Sequence, residues 1–169
     1  MPSPDLTGAR QAAAEAVRRV AERGETFATA ESLTGGLIAA TVVEIPGVSA
    51  VFRGGLVVYA TDLKHALAGV PEELLAERGP VDPDVALALA AGARRRCAAD
   101  WGLATTGVAG PDPQDGKPVG MVFVAVDGPA GGVVRELQLA GNRPVIRTES
   151  VTRVLRLFAD QVRAAPARA

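Results

Sequence analysis

The chain has 169 residues, the length of one compact domain, and 48% of them are apolar, enough to fill a single core. Its formal net charge is −1, without the basic surplus that a nucleic-acid-binding domain shows, so no nucleic-acid partner is expected. One cysteine (Cys97) and one histidine (His65) exclude an internal disulfide and a structural zinc site of Cys and His ligands.

Aromatic residues make up only 4%, so a core of Ala, Val and Leu is expected, a composition suited to layered α/β packing. Met1 to Arg10 lacks the charged-then-apolar form of a signal peptide, and no apolar run reaches the length of a membrane span. A cytoplasmic protein without a membrane partner is expected.

Leu6 to Arg23 carries Ala12, Ala13, Ala16, Val17 and Val20 at helical spacing, and Gly24 ends it. Thr26 to Ala30 reads as a short strand. Thr34 to Glu44 reads as a helix stopped by Ile45-Pro46-Gly47. Leu56 to Tyr59 reads as a buried strand after Gly54-Gly55. Asp62 to Ala68 and Pro71 to Arg78 read as short helices. Pro83 to Ala99 is a longer amphipathic helix capped by Asp82. Its Arg94-Arg95-Arg96 run reads as a solvated face opposing the helix dipole, with a phosphate patch as the alternative.

Leu103 to Thr106 reads as a third strand. Val119 to Asp127 and Val133 to Leu139 read as an antiparallel pair across the turn Asp127 to Gly132. Pro144 to Val162 is the closing helix, and Arg163 to Ala169 an unstructured tail. The expectation is one domain over residues 1–169. Its fold is three-layer α/β/α, with a mixed, mostly parallel five-stranded sheet. Ligands in such sheets collect at the carboxyl ends of strands.

The polar, Gly-rich segments lie at those ends. In Glu31-Ser32-Leu33-Thr34-Gly35-Gly36 a strand gives way to a hydroxyl and then to a helix start. Either Ser32 is a nucleophile beside oxyanion donors, or Ser32 or Thr34 caps the helix. In Tyr59-Ala60-Thr61-Asp62-Leu63-Lys64, Lys64 is either a base with lowered pKa or a surface partner of Asp62. His65 is a rival base. Thr105-Thr106-Gly107-Val108-Ala109-Gly110-Pro111 is a Gly-rich strand exit without the Gly-Lys-Ser/Thr ending of a P-loop. Arg143 and Arg147 are candidate phosphate contacts at the start of the last helix.

Three stretches together resemble the CinA C-terminal domain family, whose stand-alone members include nicotinamide-mononucleotide deamidases. They are AESLTGGLIAATVVEIPGVSAVFRGGLVVYATDLKHALAGV, TTGVAGPDPQDGKPVGMVFVAV and GNRPVIR. The resemblance implies hydrolysis of nicotinamide mononucleotide to nicotinate mononucleotide and ammonia, in pyridine-nucleotide recycling, by a Ser/Lys hydrolase with no metal and no cofactor. It implies Ser32 as nucleophile, Lys64 as base, Tyr59 as the base's hydroxyl partner and Thr106 as a supporting hydroxyl. Thr34, Gly35, Gly36, Gly107, Gly110 and Arg147 are the expected substrate contacts, and a homo-oligomer is expected. A non-catalytic nucleotide-binding module linked to competence or DNA damage is the alternative. The chain departs from the family in carrying Leu33 where Cys is usual, and Asp112 to Gly116 where many relatives carry glycines. Leu33 is expected to point away from the reacting hydroxyl.

Overall fold

The computed structural model describes residues 4–168. Five strands, β1 (Phe27–Glu31), β2 (Phe52–Val57), β3 (Trp101–Gly107), β4 (Met121–Gly128) and β5 (Gly131–Gln138), form one sheet in the order β2-β1-β3-β4-β5. β1 pairs in parallel with β2 and β3, while β4 pairs antiparallel with β3 and β5. Pairings therefore divide two and two, and four of the five strands run in one direction. The antiparallel β3–β4 step follows from the absence of a crossover helix between Gly107 and Met121.

Six helices, α1 (Thr7–Glu22), α2 (Leu37–Val42), α3 (Thr61–Ala66), α4 (Glu72–Arg78), α5 (Pro83–Arg96) and α6 (Arg143–Ala164), cover the sheet. Side chains alternate across a strand. Phe27, Trp101, Leu103, Val122, Val124 and Val126 thus face α1 and α6. Ala28, Ala30, Ala104, Phe123 and Ala125 face α5. Small residues let α5 lie close to the sheet. Gly102 has the Ala90 carbonyl where a Cβ would stand.

The other layer departs from the all-aliphatic expectation. Of six aromatic residues, four gather there: Phe27 stacks at 5.1 Å on both Phe52 and Phe158, and Trp101 meets Phe158 edge-on at 5.9 Å. Full burial of Phe158 contributes about 1.5–3 kcal/mol.

Asp82 caps α5 as its sequence suggests, its carboxylate accepting from the Asp84 and Val85 amides at 2.8 and 3.4 Å. Some segments differ from expectation, among them α2, which spans Leu37–Val42 rather than Thr34 to Glu44. β2 begins at Phe52 and is an edge strand, and its exposure alternates because successive side chains point to a more covered and a less covered face. The tail is also more ordered than its composition suggests. α6 includes Arg163 and Ala164, and Arg23 donates to the carbonyls of Ala165 and Pro166. No helix among the described residues is long and apolar enough to cross a membrane.

Candidate active site

From β1 the chain runs through α2 to β2 on one side of it, then returns through α3, α4 and α5 to β3 on the other. The carboxyl ends of β1 and β3 therefore border a crevice at the point where the connections diverge. A crevice of about 130 Å³ opens there, lined among others by Ser32, Tyr59, Lys64, Thr106, Gly110 and Arg143.

Lys64 lies on α3 and is 1% exposed. Its Nζ donates to the main-chain carbonyls of Val58 at 2.8 Å and Tyr59 at 3.2 Å, and lies 3.1 Å from Ser32 Oγ. Burial disfavours the ammonium and lowers its pKa from 10.5 to about 8. A neutral amine has two N–H bonds and one lone pair. With two carbonyls taking the N–H bonds, the lone pair is left for the Ser32 hydroxyl. The surface pairing with Asp62 does not occur; Lys64 turns inward and Asp62 remains exposed. The rival base is elsewhere: His65 is exposed, with its Nδ1 2.8 Å from the Val70 carbonyl.

Ser32 is 8% exposed and is not a helix cap. α2 starts only at Leu37, and the carboxylate of Glu31 receives the amides of Ile38 at 2.8 Å and Ala39 at 3.1 Å. Of the main-chain amides from Thr34 to Gly36, that of Gly35 is committed within the turn. The Gly35 amide donates to Ser32 O and the Leu37 amide to Thr34 O.

Thr106 is buried with its hydroxyl donating to the Pro80 carbonyl. Its proton is held there, so it offers lone pairs to the crevice. Gly107 and Gly110 line the same wall. At Gly110, with φ +85°, a Cβ would stand 2.8 Å from Val119.

Several expected contacts lie elsewhere, since Thr34 to Gly36 belong to the turn beyond β1 and Arg147 to α6. Residues 32 and 106 share the α5 face, whereas Thr34 joins Thr105 on the α1/α6 face, hydroxyl to hydroxyl at 2.8 Å. Thr34, Gly35 and Gly36 do not border the crevice. Nor does Arg147, whose Nε and Nη2 donate to the carbonyls of Leu33 and Thr34, both at 2.9 Å. The bordering arginine is Arg143, which donates to Gly110 O at 2.7 Å and to the Tyr59 hydroxyl at 2.8 Å. Tyr59 is 58% exposed, and its main-chain carbonyl, not its hydroxyl, meets Lys64. Leu33 is buried in the core beside α1 and α6, although it also touches the crevice wall.

Sequence reasoning missed Glu31, a carboxylate that strand alternation turns toward α2. It also chose Arg147 over Arg143, since both lie in the first turns of one helix. Among the described residues no group of three His, Cys, Asp or Glu side chains is arranged to hold a metal.

Fold and crevice define a three-layer α/β domain with a buried serine–lysine pair where its central strands part. The chain belongs to the CinA C-terminal domain family, which it matches over residues 9–162. It is 52% identical over 136 residues to a CinA-like protein of Frankia casuarinae, covering 80% of this chain and 31% of that one. It is 50% identical over 135 residues to a CinA-like protein of Geobacter sulfurreducens, covering 79% and 33%. The chain thus spans about a third of the length of the curated relatives it matches. Among solved structures, the competence/damage inducible protein CihA of Agrobacterium tumefaciens superposes with TM-score 0.86 at 35% identity, covering 93% of this chain and 96% of that one.

Proposed function

We propose that this crevice hydrolyses a carboxamide by a Ser/Lys mechanism, and that its substrate is nicotinamide mononucleotide. The carrying observation is the 3.1 Å approach of the buried Lys64 Nζ to Ser32 Oγ. At pH 7 a pKa of about 8 leaves roughly one lysine in ten neutral, against fewer than one in a thousand at the ordinary value. Neutral Nζ takes the hydroxyl proton as Oγ attacks the amide carbon. The tetrahedral oxyanion is assigned to main-chain N–H groups among the crevice-lining residues Leu33, Ala109 and Gly110. Nζ then returns the proton to the departing nitrogen, and ammonia leaves. Water attacks the acyl-serine, giving its proton to Nζ. The carboxylate product departs and the Ser32 hydroxyl is restored.

The Thr106 hydroxyl, with its proton on Pro80, suits acceptance of a bond from the amide NH2. About 130 Å³ accommodates the carboxamide end of a ligand, below the roughly 300–1,000 Å³ of whole small-molecule sites. The ribose and phosphate then extend across the mouth, where exposed Arg143 supplies a cation.

The test is ammonia release from nicotinamide mononucleotide by the purified protein and by Ser32→Ala. The variant is expected to lose at least about 10³-fold in kcat. Near-normal turnover by Ser32→Ala refutes the mechanism. Tight binding of the nucleotide with no ammonia from the unaltered protein refutes the activity and favours a binding module.

A further inference from the structure

We propose that Glu31 and Arg147 are positioning residues that hold the nucleophile's turn from its two sides. The inference rests on the serine–lysine reading above. The turn Ser32 to Gly36 joins β1 to α2 and contains Gly35 and Gly36 at φ +57° and +99°. Two successive left-handed glycines make a permissive backbone. The 3.1 Å approach of Ser32 Oγ to Lys64 Nζ nevertheless requires that this turn stay in place.

Two charged side chains tie it down through main-chain atoms only. Glu31 is the last residue of β1 and 1% exposed, and its two oxygens receive the amides of Ile38 and Ala39, at the start of α2. The span between the strand end and the helix start is thereby fixed, and Ser32 lies inside it. Arg147 reaches over from α6 and gives two N–H bonds to the carbonyls of Leu33 and Thr34, the residues after the nucleophile. A carboxylate takes the donors on one flank and a guanidinium the acceptors on the other. Such bidentate contacts fix direction as well as distance. Neither side chain borders the crevice.

Burying a carboxylate is a costly means of capping a six-residue helix. What the charge adds is the fixed direction of those two bonds. A displacement of the nucleophile by about 1 Å costs on the order of 10²-fold in rate.

The experiment measures how fast Ser32 is labelled by a fluorophosphonate probe, with the labelled residue located by mass spectrometry. The kcat and KM for nicotinamide mononucleotide and thermal unfolding are recorded alongside. Glu31→Gln converts one acceptor into a donor facing an amide. Arg147→Lys replaces the fork by a point donor. Each is expected to slow labelling and lower kcat by about 10–100-fold, with KM within about twofold. The double variant is expected to lose less than the product of the two single losses, because both act on one turn. Labelling at the unaltered rate in folded variants, or losses that merely track the unfolded fraction, overturns the proposal. Should Glu31→Gln not fold, Arg147→Lys decides alone. Labelling of unaltered Ser32 without ammonia release overturns the substrate reading while the labelling rates still decide the positioning role. No labelling of the unaltered protein overturns both.

Discussion

Lys64→Met separates the burial of an amine from its chemistry. Methionine has similar length and no charge. In the folded chain the lysine's pKa is lowered from 10.5 to about 8 by burial. Below pH 8 the proton is bound in both folded and unfolded chains, and the fold carries the whole desolvation penalty. Between pH 8 and 10.5 only the unfolded chain keeps it, so stability rises with pH. Above 10.5 neither state keeps it and the penalty is gone. The difference 10.5 − 8, at roughly 1.4 kcal/mol per unit, amounts to about 3 kcal/mol.

Against this, the variant strips a donor from the Val58 and Tyr59 carbonyls, a loss of about 1–3 kcal/mol that does not vary with pH. At pH 7 the two effects nearly cancel, so absolute stability decides little and the pH slope decides the matter. Urea unfolding at steps from pH 7 to 10.5 is expected to show the unaltered protein gaining about 3 kcal/mol relative to Lys64→Met, with most of the gain above pH 8. Parallel stability curves for the two proteins would refute the burial argument.

The same lowered pKa predicts that kcat/KM for the amide rises about tenfold per pH unit up to about pH 8 and then levels; a profile flat from pH 6 to 8 excludes Lys64 as the base. Arg143→Ala is expected to raise KM for the mononucleotide by about 10–100-fold and to leave KM for the corresponding riboside within about threefold, the value of a charged hydrogen bond to phosphate. Equal effects on both ligands would place the phosphate elsewhere. Gly92→Ala sets a helix-propensity gain of about 1 kcal/mol against a Cβ 2.0 Å from the Ala68 carbonyl; overpacking should win by roughly 1–3 kcal/mol, read as a lowered Tm.

The layered fold was legible because its signals are local and periodic. Alanine spacing in α1, the Asp82 cap and the Gly-rich turn between β4 and β5 each stand within a few residues. β2 was displaced by several residues because Phe52-Arg53-Gly54-Gly55 carries little strand signal; its place is set by pairing with β1. Segment order showed only that the loops carrying Ser32 and Lys64 share one rim; their pairing was implied by the family resemblance, since spacing alone left Lys64 also readable as a surface partner of Asp62. The direction of each side chain was not legible. Strand alternation fixes the direction of Thr106 within β3, but Thr34 lies in the turn after β1, where no such rule applies. Thr34 and Thr106 look equivalent in sequence yet point to opposite layers. Arg143 and Arg147 are one helical turn apart, and only the tertiary docking of α6 separates the one at the mouth from the one behind the turn.

The grip on Lys64 comes from peptide oxygens at positions 58 and 59. Every amino acid brings such an oxygen, so the orientation of the amine is insensitive to which side chains occupy those two places. Valine could drift to isoleucine, and tyrosine to another ring, while the lone pair kept its aim. The chemistry of the base is thus insulated from the side chain that meets Arg143, and the rim is free to diversify toward new ligands without disarming the centre.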